Sequence, residues 1–281
     1  MKKIFVNEVG PRDGLQNIDI ILNVDERFQL IQSLEKAGIN SLEVGSFVNP
    51  KNVPAMDNTD VLLEKLENSN SDYSVLIPNI YGYEKAKNNK VKEVCLVLCA
   101  TESMNKENIN KSINETIVEF KEIINMAKKD QIRTKIYISV AFECPYEGLV
   151  SPDYIFYLTK EFLSFGISEV VIADTIGAGE PFQVKKLFRR LVKEFGSSKF
   201  SAHFHDTRLL ALENVRAAME EGINKFDSCI AGLGGCPFAP GSSGNLATED
   251  LVSMLHKEGY ETGINEKMLR NSAKLAAQLT N

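Results

Sequence analysis

Short runs of β-branched and aliphatic residues alternate with longer amphipathic stretches from one end of the chain to the other. Runs at residues 4–9, 41–45, 73–77, 93–99, 135–141, 169–173, 200–204 and 225–230 read as strands. Helical periodicity covers the intervening stretches, 25–37, 112–129, 152–165, 181–195 and 208–221 among them, with a further amphipathic stretch at 267–279. Start and stop signals agree with these spans. Ser151 before Pro152 predicts a capped helix start, and Gly38 and Gly222 stand where a left-handed residue ends a helix. Eight strand–helix pairs, with no repeat, low-complexity tract or linker between them, predict one α/β domain over residues 1–281: a TIM (β/α)8 barrel with an extra C-terminal helix.

Composition narrows the class without changing that picture. Hydrophobic residues at 43% and charged residues at 25% suffice for a sizeable core. A formal charge of -6 with scattered Lys and Arg argues against a nucleic-acid partner. No apolar run approaches the roughly 20 residues of a membrane span. Five cysteines, an odd number, do not form a secreted disulfide framework and read as reduced thiols. The N-terminus enters a strand-like run at once, which leaves no room for a leader peptide, so the expected location is cytoplasmic.

A barrel concentrates chemistry at the carboxyl ends of its strands. His203-Phe204-His205-Asp206 closes the seventh strand, and alternation turns both histidines to one face, a spacing suited to two ligands of one metal. Arg12-Asp13 follows the first strand between Gly10 and Gly14; the pair could be a surface ion pair, but at a barrel mouth Asp13 offers a hard oxygen and Arg12 a permanent charge for a substrate oxygen. The eighth strand runs into a long loop, residues 231–245, with five glycines around Cys236, which points to function more than to packing. Asn245 is either a further oxygen ligand or the cap of a helix beginning near Ala247. Glu43 and Asp174 also fall on the catalytic side and would orient the cation or relay a proton, although Asp174 could instead cap the next helix. Cys95, Cys99 and Cys229 read as inert strand thiols, Cys144 as either kind, and His256 as a solvated surface residue.

With GPRDGLQN from Gly10, HFHDT from His203 and AGLGGCPFAPGSSGNLATED from Ala231, nearly the whole chain resembles the 3-hydroxy-3-methylglutaryl-CoA (HMG-CoA) lyase family of metal-dependent barrel lyases. The segments at Ser46–Lys51 and Cys144–Gly148 resemble it too. The resemblance implies Mg²⁺ or Mn²⁺ held by Asp13, His203, His205 and Asn245, with Arg12 as charge stabiliser, Cys236 as a loop thiol over the substrate, and Glu43 and Asp174 in support. It implies cleavage of an acyl-CoA substrate, HMG-CoA, to acetyl-CoA and acetoacetate, a homodimer, and a place in leucine breakdown. Two departures stand out: Arg208-Leu209-Leu210 lies where many relatives carry a glycine, and Phe238 where tyrosine is common.

A related metal-dependent acyl-CoA condensing enzyme or hydroxy-keto-acid aldolase would share the Arg-Asp and His-x-His arrangements. Such enzymes lack the Cys236 loop and carry additional domains, whereas this chain stops soon after the barrel. A non-catalytic barrel acting as an assembly partner would be expected to have lost a ligand, and none is missing.

Overall fold

The computed structural model describes residues 2–234 and 244–280. Eight parallel strands close into a barrel: β1 (Phe5–Glu8), β2 (Ser41–Ser46), β3 (Asp72–Leu76), β4 (Glu93–Cys99), β5 (Arg133–Ser139), β8 (Glu169–Asp174), β9 (Phe200–Phe204) and β10 (Lys225–Ser228), with β10 pairing back onto β1. The two intervening strands, β6 (Glu143–Cys144) and β7 (Gly148–Leu149), form an antiparallel hairpin on the crossover between β5 and β8. Every strand expected from the sequence is present, displaced by at most two residues at an end.

The helices around the barrel are α1 (Val24–Lys36), α2 (Thr59–Lys65), α3 (Ile80–Asn88), α4 (Glu102–Ile109), α5 (Ile113–Asp130), α6 (Pro152–Phe165), α7 (Pro181–Phe195), α8 (Ala211–Glu220) and α9 (Thr248–Lys257), and α10 (Glu266–Leu279) packs on α1. Local chemistry sets their ends. Asn23 with Glu26 and Ser112 with Glu115 form reciprocal capping boxes that satisfy otherwise orphaned first-turn N–H groups. Ser151 caps α6 ahead of Pro152, and Gly166, at φ 87°, ends it. The helix expected over 208–221 begins three residues later, because Leu209 adopts φ 59° and breaks the αR run. No described helix is long and apolar enough to cross a membrane.

Strand alternation divides the core into two unlike regions. Leu42, Val44, Val75, Val94, Leu96, Leu98, Ile136, Ile138, Val170, Ile172, Phe204 and Phe226 belong to the large apolar cluster that the helices cover. The residues between them line the barrel and are mostly polar: Asn7, Glu43, Ser74, Lys135, Ser139, Ser201, His203 and Asp227, beside a small apolar group of Cys95, Tyr137, Val171 and Ala173. Toward the amino ends of the strands the interior is plugged by Lys135, which reaches Glu169 at 3.5 Å and Glu93 at 3.9 Å. The opposite end gathers Arg12, Asp13, Glu43, His203, His205 and Asn245.

Candidate metal centre at the barrel mouth

After β1 the chain makes one wide helical turn, Gly10–Gly14. The N–H groups of Arg12, Asp13 and Gly14 all point at the carbonyl of Val9, at 3.1, 2.7 and 3.3 Å, which brings Arg12 and Asp13 side by side over the barrel. Gly14 is required there, since a Cβ would lie 2.6 Å from Cys229 Sγ. On the far side, segment 244–247 returns across the ends of β9 and β10: Leu246 donates to Phe204 O at 3.1 Å and accepts from Cys229 N at 2.9 Å. An isolated bridge pairs His205 with Asn245.

One ligand atom each from Asp13, His203 and His205 lies within 4.8 Å of the others. The rings of His203 and His205 stand 5.3 Å apart, on one face as their spacing requires. Asn245 joins them by donating Nδ2 to Asp13 Oδ2 at 2.8 Å and to the Leu233 carbonyl at 3.1 Å. Its Oδ1, with its donors thus committed, is buried and has no hydrogen-bond partner among the described residues, and the same holds for His205 Nδ1. An unpartnered buried polar atom costs about 1–3 kcal/mol. Two such atoms, on His205 of the cluster and on Asn245 bonded to Asp13, fit a hard divalent cation with mixed nitrogen and oxygen ligands. Asn245 does not cap α9, whose N-cap is Ala247, so the capping alternative falls away.

The ionisation states of Asp13 and His205 agree with ligation. Burial opposes the charge on Asp13, but Arg12, His203 and His205 outweigh it and hold the carboxyl well below the usual range. Burial, reinforced by the neighbouring His203, pushes His205 down to about 4, leaving a neutral imidazole at neutral pH. For His203 burial is outweighed by Asp227, whose Oδ2 lies 3.3 Å from Nδ1, and its pKa is raised. Asp227 also accepts from Asn7 Nδ2 at 2.9 Å. This buried carboxylate fixes the ring of a candidate ligand, the usual outer partner of a metal-bound histidine.

Arg12 is buried and its Nε donates to Glu43, which is 0% exposed and also accepts from Tyr137 OH at 3.0 Å. A register shift between Glu43 and Gly45 bends β2 at this point. The guanidinium therefore sits between Glu43 and Asp13, beside the ligand cluster, as a fixed charge within the polar interior.

The HMGL-like family model matches residues 3–276. The chain belongs to that family. Among its relatives, hydroxymethylglutaryl-CoA lyase of Pseudomonas mevalonii is 40% identical over 281 residues, covering 99% of this chain and 93% of the relative. The human mitochondrial hydroxymethylglutaryl-CoA lyase is 42% identical, covering 100% of this chain and 86% of the human protein. The solved structure of an HMG-CoA lyase from Acinetobacter baumannii in complex with coenzyme A and 3-methylmalate aligns with a TM-score of 0.94 at 35% identity, over 99% of this chain and 91% of that one.

In this HMGL-like chain Asp174 closes β8 and its two oxygens accept the N–H groups of Ala178 and Gly179, at 3.0 and 2.8 Å. Burial raises its pKa against the pull of those bonds. Cys236 lies outside the described residues. Cys95, Cys99 and Cys229 are buried as expected, and so is Cys144, which accepts from Thr101 Oγ1 at 3.0 Å and so joins the β6–β7 hairpin to the N-terminal end of α4. His256 is not a free surface residue: its ring nitrogens meet Glu266 and Thr262, each at 2.8 Å, and tie α9 to α10. Sequence reasoning missed Asp227 and Tyr137. The available signal was a polar or charged residue at an inward position of a strand, as in Lys225-Phe226-Asp227-Ser228.

Proposed function

We infer that this chain is a metal-dependent carbon–carbon lyase that cleaves HMG-CoA to acetyl-CoA and acetoacetate. The observation that carries the reading is the convergence of Asp13, His203, His205 and the unpartnered Asn245 Oδ1 beside a buried Arg12, in a chain 40–42% identical to curated HMG-CoA lyases along its length. Asp13, His203, His205 and Asn245 would hold Mg²⁺ or Mn²⁺. When bound, the cation supplies a Lewis acid that polarises substrate oxygens and eases loss of a hydroxyl proton.

The remaining work falls to the chain. A general base takes the proton of the substrate's tertiary hydroxyl, the carbon–oxygen bond becomes the ketone of acetoacetate, and the carbon–carbon pair moves to the carbon beside the thioester. Arg12, oriented by Glu43, which in turn accepts from Tyr137, faces the negative charge that develops on the thioester oxygen. Its orientation is set before substrate arrives, so little reorganisation is needed as the bond breaks. A proton delivered to the carbanion completes the acetyl-CoA methyl group; Cys236 and Asp174 are the proposed sources, Asp174 having a pKa that burial raises. The complex of the Acinetobacter baumannii lyase with coenzyme A supports an acyl-CoA as the substrate class. A homodimer in the cytoplasm completes the proposal.

The test is product identification. HMG-CoA incubated with the Mn²⁺-loaded chain is expected to give acetoacetate and acetyl-CoA in equal amounts. Failure to form either product from folded, loaded protein would overturn the lyase reading.

A further inference from the structure

A carboxylate that takes no part in the chemistry above lies directly beneath the mouth. Glu8, the last residue of β1, is 0% exposed. Its Oε1 accepts the N–H groups of Gly10 and Ile230, both at 2.8 Å, and its Oε2 accepts the hydroxyl of Thr248 at 2.6 Å. Thr248 Oγ1 is also 2.9 Å from Ser228 Oγ at the end of β10. The fit is close: a Cβ on Gly10 would stand 2.6 Å from Glu8 Oε1.

Each of the three arms leads to the cradle. Gly10 opens the turn that carries Arg12 and Asp13. Ile230 opens the turn that leads to Leu233, whose carbonyl receives Asn245 Nδ2. Thr248 is the first residue of α9, three positions beyond Asn245. These segments come from opposite ends of the sequence, and the Asn245–Asp13 bond at 2.8 Å forms only if they are held in register. Burying a carboxylate is costly, and burial raises Glu8 to about 7 despite its three donors. A group needed only to fill space at this point would be apolar.

We propose that Glu8 is a positioning residue for the metal cradle, whose carboxylate sets the separation of Asp13 from Asn245 by fastening the β1 turn to the β10 segment and α9. It is bonded to none of the ligand atoms and acts through the backbone N–H groups of Gly10 and Ile230 and the hydroxyl of Thr248. The inference rests on the cradle reading given above.

The experiment measures Mn²⁺ affinity of the full chain by following free Mn²⁺ in electron paramagnetic resonance titrations. Wild type, His203→Ala, Glu8→Ala, Thr248→Val and Leu187→Ala are compared, the last removing a buried core contact on α7 away from the mouth. Wild type should bind Mn²⁺ and His203→Ala should not; absence of binding by the wild type would overturn the cradle reading and this inference with it. Given binding, Glu8→Ala should weaken affinity about tenfold or more, in the range typical of lost outer-shell support, and Thr248→Val about threefold. Leu187→Ala, despite a lower melting temperature, should bind like the wild type. Unchanged affinity in both Glu8→Ala and Thr248→Val, or an equal loss in Leu187→Ala, would reduce Glu8 to a structural residue. If Glu8→Ala does not fold, Thr248→Val decides the matter alone.

Discussion

Replacing Arg12 by methionine separates what this side chain does for stability from what it does for chemistry. Arg12 and Glu43 are both buried, and besides Arg12 the Glu43 carboxylate has Tyr137 OH at 3.0 Å as a donor. Arg12→Met leaves that carboxylate without its counter-charge, a loss of about 3–5 kcal/mol for a broken buried pair. Unfolding entropy of about 2.1 cal/mol/K per residue over 281 residues gives about 0.6 kcal/mol/K, so the melting temperature should fall by about 5–8 °C. Adding Glu43→Gln removes the orphaned charge, and the double variant should recover most of that loss. Activity should behave differently: loss of a preorganised charge stabiliser lowers kcat by about 10²–10³ in the single variant, and the second substitution cannot restore it. Differential scanning fluorimetry and acetoacetate release under saturating HMG-CoA measure the two effects. A double variant that stays as unstable as Arg12→Met would refute the orphaned-charge argument, and one that regains activity would refute the role given to Arg12.

Two further outcomes rest on local geometry. Leu209 is 77% exposed at φ 59°, so Leu209→Gly should relieve about 1–2 kcal/mol of left-handed strain against about 0.5–1 kcal/mol of added chain entropy, raising the melting temperature by up to about 2.5 °C; a fall would mean that the leucine side chain holds its position through packing. Glu8 is raised from 4.5 to about 7, so the folded state holds its proton more tightly than the unfolded state, and its contribution is favourable below about pH 4.5 and lost as pH rises through about 7. Relative to Glu8→Gln, wild-type stability in urea titrations should decline by about 3 kcal/mol between pH 4.5 and 8, and a pH-independent difference would contradict the burial argument.

The barrel was legible because a parallel sheet covered by helices demands continuous apolar outer faces, and runs such as Glu93–Cys99 carry them. His203 and His205 were legible for a related reason: alternation along a strand fixes their common side without any knowledge of the rest of the fold. Asp227, Tyr137 and Glu8 were not. Whether an inward residue meets water, an ion pair or another strand depends on closure of the barrel, and that brings together residues as distant as Glu8 and Thr248. The β6–β7 hairpin was missed because two residues per strand are too few to show a period. The displaced start of α8 is the consequence of one backbone angle at Leu209. His256 looked solvated because its partners, Thr262 and Glu266, lie beyond the helix that carries it.

The central claim is that cleavage depends on a divalent cation held by Asp13, His203, His205 and Asn245. Its most direct test is to titrate metal-stripped chain with Mn²⁺ and follow acetoacetate release from HMG-CoA. The account predicts no product without metal and a rate that rises to a plateau near one equivalent per chain. Full activity in the stripped chain, or no activity at any Mn²⁺ concentration in folded protein, would contradict it.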